Sequence, residues 1–492
     1  MFLTIRNTID FLKHRNELLE TETEVDPVFE ISGIQKALEG GPAILFNKIK
    51  GYPGVRNIGN VFASEDRMAV IFNVSHFKQL KYKCQEAINK PIPPQITEDA
   101  PCQEIVINEG IDVPSIMPII KHSEDDAGRI LSGGILLVSD TPGTMGGDIS
   151  FKRMHFRGRE WCSVYSSPGS HLDYIQSVKR KGEDIPLTIN ICTPPAVTLV
   201  AAAGPVKAIV PHGTEELGIA GALQGSPIAI CRASTVDAYA IANSEWVIEG
   251  YLTPEPCWET EEAEKLKKSG VAPLFPEWHG YLGKAILGKR IKVTAITRRK
   301  DRPIFYSPMA DSYEAENLIH PLAEASIYQL LQQIAPDFTL DMNTPHALKQ
   351  VGGLVLQVKK TSVKDDRRVR EILLATLNAS QRNLVVAVDE DVDIYSTDDI
   401  LWAMWTRGIP EKRVFRLHTA GTPEVVSMNI PSRADGVVGI DATLPFATNK
   451  SFKRAHYPVD RVTLTKWFSD DELIAARQLQ SEYARIISQM GT

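Results

Sequence analysis

The chain has 492 residues, 43% of them hydrophobic and 23% charged. That is the composition of a soluble globular protein, and it argues against a disordered, collagen-like or disulfide-built chain. At roughly 150 residues per domain the length predicts about three domains, and 54 Lys and Arg against 61 Asp and Glu leave a net charge of −7. With no basic tail or Lys/Arg block, neither nucleic acid nor a membrane surface is an expected partner; a small anion held by a local cluster stays open. The six cysteines, Cys84, Cys102, Cys162, Cys192, Cys231 and Cys257, contain no C-x-x-C pair and predict reduced thiols in a cytosolic protein. The opening MFLTIRNTIDFLKHRNELLE mixes charge too finely for a signal peptide, and no run of about 20 apolar residues predicts a membrane span.

In chain order, residues 3–20 carry Leu3, Ile5, Ile9, Phe11, Leu12 and Leu18 at mostly helical spacing and predict an amphipathic helix. GPAILFNKIKGYPG (41–54) predicts a strand and a turn, and 66–90 more helix. The Pro-rich, acidic KPIPPQITEDAPCQE (90–104) suits a first boundary, because Pro lacks a donor and stiffens an extended linker. From about 105 to 300, short β-type runs recur between turn residues: EIVI, GGILLVSD, LTINICT, VTLVAAA (197–203), SPIAICRA, EWVIEGYL and RIKVTAIT. They predict a mostly antiparallel barrel or twisted sheet. Beyond 310 a helix, a strand (352–360), a helix (366–380) and a buried-type strand (383–391) alternate in an α/β pattern. The tail 466–490 reads as one helix, with Ser469 as N-cap and Asp470, Asp471 and Glu472 in its first turn. It packs either on its own chain or on a second copy.

Five segments could carry chemistry. GGDISFKRMHFRG (146–158) leads from Gly-Gly into a strand with Asp148 and Ser150 on one face and Phe151 and Arg153 on the other; it is either a ligand-approached strand or an ordinary turn and strand. His171, after a Ser/Pro/Gly turn, suits a metal, an anion or a helix cap. Glu215 and Glu216 open a short helix and are either capping acids or ligands. Glu277 lies between Pro276 and Trp278, with His279 and Tyr281 nearby; such an acid is either a desolvated proton donor or part of an irregular loop. The acids Asp389, Glu390, Asp391 and Asp393 lack the Gly and Glu of a Ca²⁺ loop and predict a strand end before a helix starting near Asp398.

Together, D-I-S-F-K-R (148–153), P-G-S-H (168–171), E-L-G-I-A-G-A-L (216–223), P-E-W-H-G-Y (276–281), V-D-E-D-V-D-I (388–394) with W-A-M-W-T-R (402–407), and G-I-D-A-T-L-P (439–445) resemble the UbiD family. Its members are reversible decarboxylases that use prenylated FMN, and the texture is nearest to the hydroxybenzoate, protocatechuate and gallate branch. The resemblance implies an α/β (α+β) fold: an N-terminal α/β domain (1–110), a central split β-barrel flavin-binding domain (111–310), a C-terminal α/β domain (311–465) and an oligomerisation helix (466–492). It implies a divalent ion, Mn²⁺ or Mg²⁺, on Asp148, His171 and Glu216, with K⁺ nearby. The cofactor would be bound by Asp148, Ile149, Ser150, Phe151, Lys152, Arg153, His171, Glu216 and Lys360. Arg153 would orient the substrate and Glu277 would donate the proton. The family's other network Glu falls on Ala272, and the His of catechol-type relatives falls on Ala315; both are departures. The implied partners are an aromatic, heteroaromatic or α,β-unsaturated acid, CO₂, a flavin prenyltransferase supplying the cofactor, and further copies in a homodimer or homohexamer. The competing readings are a metal-dependent hydrolase on Asp148, His171 and Glu216, or a UbiD-like subunit of a larger carboxylase acting on an aryl or aryl-CoA substrate.

Overall fold

The computed structural model describes residues 2–490 apart from 145, 205, 381, 409–410, 418–435, 449–450 and 456. The opening helix is shorter than expected. It runs Ile5–His14, capped by the Thr4 side chain, and the chain turns into the strand Leu18–Thr21. That strand joins Ala43–Phe46, Arg56–Gly59 and, from far along the chain, Ile304–Tyr306 in a four-stranded sheet. The helices Glu65–Ile71 and Leu80–Asn89 follow.

A nine-stranded sheet forms the centre, and all its pairings are antiparallel. Its path begins at Ile130–Leu131 and ends at Gly147–Phe151; these two end strands do not pair, so the barrel stays open. One expected strand is a helix. VTLVAAA (197–203) forms the helix Pro195–Ala202 with its C-cap Ala203, and seven of the helix's eight residues are buried. A continuous apolar run has no period to separate strand from buried helix, and Pro195 in the first turn, where its missing N–H costs nothing, decides for helix.

The 22-residue helix Tyr313–Ile334 leads into the C-terminal sheet. There Gly353–Val358, Leu384–Asp389 and Val437–Ala442 are parallel, with antiparallel edges Thr339–Asn343 and Val414–Leu417. Leu354, Leu356 and Ala387 pack with Val369 and Leu373 of the helix Asp365–Ala379. Val355, Val386 and Val388 on the other face pack with Ile400 and Ala403 of the helix Thr397–Ala403. Burial on both faces explains the unbroken apolar run at 384–388. Arg407 binds Asp389 and Asp391 at 2.7–2.9 Å, so the acids at that strand's end are charge-balanced. Met1–Thr443 forms one compact unit and Leu444–Thr492 a second. The second unit carries the helix Asp470–Met490, which opens with a reciprocal Ser469–Glu472 capping pair. All six cysteines are buried and free, and among the described residues no helix is long and apolar enough to cross a membrane.

Candidate active site

The strand Gly147–Phe151 organises the first cluster. It pairs with Gly134–Ser139, and a Cβ on Gly147 would lie 1.9 Å from the Val138 carbonyl oxygen, so only glycine fits. Next along it, Asp148 is buried and its Oδ2 accepts from Ser150 Oγ at 2.5 Å. His171 opens the short helix His171–Tyr174, whose N-cap is Ser170. Glu216 opens the helix Glu216–Gln224; the preceding Glu215 caps it, accepting from Leu217 N at 3.1 Å. The two adjacent acids thus divide the roles left open by the sequence. Glu216 Oε2 accepts from Ile149 N at 3.1 Å, and its Oε1 lies 3.4 Å from His171 Nδ1.

One ligand atom from each of Asp148, His171 and Glu216 falls within 4.8 Å of the others, the one such group among the described residues. Two carboxylates buried this close favour a cation. Burial pushes Glu216 upward, and Asp148 adds to the push. At His171, burial works downward, but the Glu216 and Asp148 carboxylates outweigh it and hold the imidazole above its ordinary pKa. The cluster therefore favours a positive charge at its centre, which a divalent ion on an O/N donor set would supply. His212 stacks on Tyr174 at 4.3 Å and sits edge-on to His171 at 5.0 Å.

A second cluster lies five residues further on. At about 3.3 Å per residue, Arg153 is at most roughly 17 Å from Asp148 along the backbone. Arg153 donates from Nε and Nη2 to both oxygens of Glu259, at 2.9 and 2.8 Å. Its Nη1 donates to Glu277 Oε1 at 2.5 Å, and Nη2 also reaches the Lys284 carbonyl. Burial opposes the guanidinium charge, but Glu259 and Glu277 outweigh it and keep Arg153 protonated. Glu259 itself is pushed upward by burial, against the pull of Arg153; Ile286 N also donates to it at 2.8 Å.

Glu277 sits in the loop of the hairpin Pro273–Pro276 and Leu282–Lys284. Its N–H bonds to the Tyr281 carbonyl, and its own carbonyl accepts from Gly280 N. Gly280 adopts φ +83°, which favours glycine and lets the loop close. Beside this loop lies a cavity of about 410 Å³, lined by Pro276, Met309, Ala310 and Asp311 among others.

The sequence-predicted residues are thus brought into two groups, Asp148/His171/Glu216 and Arg153/Glu277. Ile149 joins the first through its backbone, Phe151 ends the strand, and Lys152 N donates to the Gly134 carbonyl at 3.2 Å. Lys360 is held elsewhere, at the end of the C-terminal sheet, donating to Asp366 and Thr443 at 3.0 and 2.9 Å. Two residues escaped the sequence reading. Glu259 stands among Glu261, Glu262 and Glu264 and looks like another helix-start acid; its signal was its place before the N-cap Thr260. It supplies the second carboxylate on Arg153, while Ala272 is buried among Ile130, Leu274 and Phe275. Gly283 gives no sequence signal, yet a Cβ there would lie 2.4 Å from Glu277 Cγ and 3.2 Å from Arg153 Nη1.

An open antiparallel sheet thus carries both a group that could hold a cation and a carboxylate–arginine–carboxylate group, the arrangement of an enzyme active site. Three models of the 3-octaprenyl-4-hydroxybenzoate carboxy-lyase family match the chain: the N-terminal domain at 9–83, the Rift-related domain at 95–311 and the C-terminal domain at 316–442. The chain belongs to this family, UbiD. It is 29% identical to gallate decarboxylase of Lactiplantibacillus plantarum over 466 residues, covering 89% of this chain and 93% of that protein. The UbiD-class enzyme HmfF of Pelotomaculum thermopropionicum, solved with prFMN in an evolved dimeric form, superposes with a TM-score of 0.81 at 26% identity, covering 95% of this chain and 100% of that one. The apo 3,4-dihydroxybenzoic acid decarboxylase of Enterobacter cloacae superposes at 0.80 with 29% identity, covering 96% and 99%.

Proposed function

We propose that this chain is a prenylated-FMN-dependent, reversible decarboxylase of an aromatic, heteroaromatic or α,β-unsaturated acid. The observation that carries the reading is Arg153, with 13% of its side chain exposed, shared by a fixed Glu259 and by Glu277 in a hairpin loop beside a cavity. A hydrolase would need the Asp148/His171/Glu216 cluster but has no use for this second group.

Asp148, His171 and Glu216 would hold Mn²⁺ or Mg²⁺, with K⁺ nearby, against the cofactor phosphate. Ile149, Ser150, Phe151, Lys152 and Arg153 would line the cofactor along the strand and just past its end, and Lys360 would approach from the C-terminal sheet. Bound prenylated FMN supplies the electron sink that loss of CO₂ from an sp² carbon requires. The protein's part is positioning and proton transfer. Glu259 is bound by two Arg153 nitrogens and a backbone N–H, which fixes it. Glu277 shares a single Arg153 nitrogen and is free to swing its other oxygen toward the ring carbon. It would deliver a proton there after CO₂ leaves, and take one back in carboxylation. Arg153 would orient the substrate carboxylate and hold Glu277 in place.

The working domains are 1–110, 111–310 and 311–465, with 466–492 as the oligomerisation helix of a homodimer or homohexamer. A cytoplasmic flavin prenyltransferase would supply the cofactor. The experiment is a substrate screen by CO₂ release, using chain made alongside such a prenyltransferase. Turnover of an aromatic acid that depends on the cofactor is expected; metal-dependent hydrolysis without any flavin would replace this reading.

A further inference from the structure

A further hydrogen-bonded chain of side chains runs up to the Arg153 region. At its far end Asp126 is buried, and its carboxylate accepts from His122 N at 2.7 Å and Ser123 Oγ at 2.5 Å, with His122 Nδ1 3.3 Å from its Oδ2. Burial works to raise the pKa of Asp126, but these bonds win and hold it below the usual carboxylate range. An anionic acid facing Nδ1 draws the imidazole proton to that nitrogen and leaves Nε2 as an acceptor. Ser132 Oγ lies 3.2 Å from Nε2, so the hydroxyl donates to the ring and keeps its own lone pairs for another donor. Carboxylate, imidazole and hydroxyl in this order make a base, because the carboxylate stabilises the imidazolium that forms when the hydroxyl gives up its proton. A purely structural bond to a serine needs no charged group behind it.

The His122 ring sits between two elements of the site. On one side it meets Phe275 at 5.7 Å, in the strand Pro273–Pro276 that opens the Glu277 hairpin, and Ala127 N bonds to the Leu274 carbonyl at 2.8 Å. On the other side, the strand Ile130–Leu131 pairs with Met154–His155, with Leu131 opposite Met154. The next step of that register sets Ser132 beside Arg153, their backbones about 5 Å apart. Ser132 is half-buried, not sealed. An acid whose carboxylate is oriented by Arg153 thus brings its ring to a hydroxyl that accepts, and the ring must offer a donor there.

We propose that Ser132 takes a proton from a heteroatom on the ring of the substrate, with His122 and Asp126 as positioning residues that make it a base. The proposal rests on the decarboxylase reading and narrows its substrates to acids that carry a ring O–H or N–H. The ring proton moves to Ser132 Oγ, the Ser132 proton moves to His122 Nε2, and Asp126 holds the resulting imidazolium; both protons return on product release. The electron pair left on the ring heteroatom raises the electron density of the ring carbon to which Glu277 delivers its proton.

The test uses cofactor-replete wild type and three variants. Ser132→Ala removes the hydroxyl, Ser132→Thr keeps it, and His122→Gln keeps a partner for Ser132 that cannot take its proton. Dissociation constants, KM and kcat are measured for benzoic acid, hydroxybenzoic acids and a pyrrole carboxylic acid. A nitro-substituted hydroxybenzoic acid, whose phenolate is yellow, is bound at a pH where it is mostly protonated in solution and followed by difference absorbance. Wild type and Ser132→Thr should bind it as the phenolate, and Ser132→Ala and His122→Gln as the phenol. The latter two should also bind hydroxybenzoic acids about 10-fold more weakly, with benzoic acid within twofold of the wild type. A loss for hydroxybenzoic acids alone assigns the ring hydroxyl, and a loss for the pyrrole acid alone assigns the ring N–H. Should Ser132→Ala not fold, His122→Gln carries the same arm. Equal phenolate colour in all four proteins, or an equal loss for benzoic and hydroxylated acids, overturns the assignment and leaves the decarboxylase reading intact. A wild-type chain that neither binds nor turns over any acid overturns both.

Discussion

Glu259 and Glu277 bind the same guanidinium with different freedom, and that difference is the chemical content of the site. Glu277→Gln keeps the shape and removes the proton. Loss of a general acid costs about 10²–10⁴-fold, so kcat should fall at least that far while bound flavin and metal stay unchanged. Glu259→Gln removes the buried half of the charge compensation of Arg153. Breaking such a pair costs about 3–5 kcal/mol; the amide retains one acceptor, so the lower end is expected, as a reduced Tm together with a kcat loss at unaltered metal content. His171→Ala should lose most of the bound Mn²⁺ in elemental analysis, and with it the flavin, while Arg153 and its two carboxylates remain in place. At this scale a short motif singled out Asp148, Arg153 and Glu277, and the structure gathers them into the two clusters. The sequence was silent on Glu259, because an acid beside a helix start is ordinarily a cap and only the fold brings it to Arg153 over 106 positions.

The hairpin around Glu277 shows how an element holds these groups, and the helix Asp365–Ala379 shows how an element secures its own start. Gly283→Ala would drive a methyl into Glu277 Cγ. Displacement of about 1 Å at a reacting group can cost on the order of 10²-fold, so kcat should drop about that far with little change in Tm. Asp365 accepts from the N–H groups of Thr361 and Ser362 and from Arg368. Burial would raise its pKa, but these bonds win and pull it down to about 2. A depressed carboxylate pKa stabilises the fold above its unfolded value and loses that contribution as the pH falls toward 2. Asp365→Ala should therefore destabilise by about 1–2 kcal/mol at pH 7, with the gap to wild type closing between roughly pH 4 and pH 2 in denaturant titrations. The α/β alternation of this region was readable because its strands and helices differ in period and are bounded by caps. The helix Pro195–Ala202 was not, since a segment buried on every side carries no periodicity.

Across the whole chain, the strands fall mainly into a mixed sheet, an antiparallel one and a largely parallel one, yet Ile304–Tyr306 returns to the first sheet and Met1–Thr443 forms one compact unit. Composition alone said little about the ligands, because the net charge of −7 hides two buried carboxylates that call for a cation. The unit Leu444–Thr492 exposes Tyr457, Val459, Trp467, Phe468, Ile474 and Leu479. Apolar surface on this scale marks an interaction site. If the proposed homodimer or homohexamer forms through this unit, removal of 444–492 should leave a monomer in light scattering, and an unchanged mass would place the interface elsewhere. The central claim is tested most directly by deuterium exchange. Cofactor-replete wild-type and Glu277→Gln proteins would be incubated in D₂O with CO₂ and the decarboxylated product of an accepted acid, and deuterium at the reacting ring carbon followed by NMR. The account predicts incorporation by the wild type and none above background by Glu277→Gln at equal flavin loading. Equal incorporation by both would contradict it.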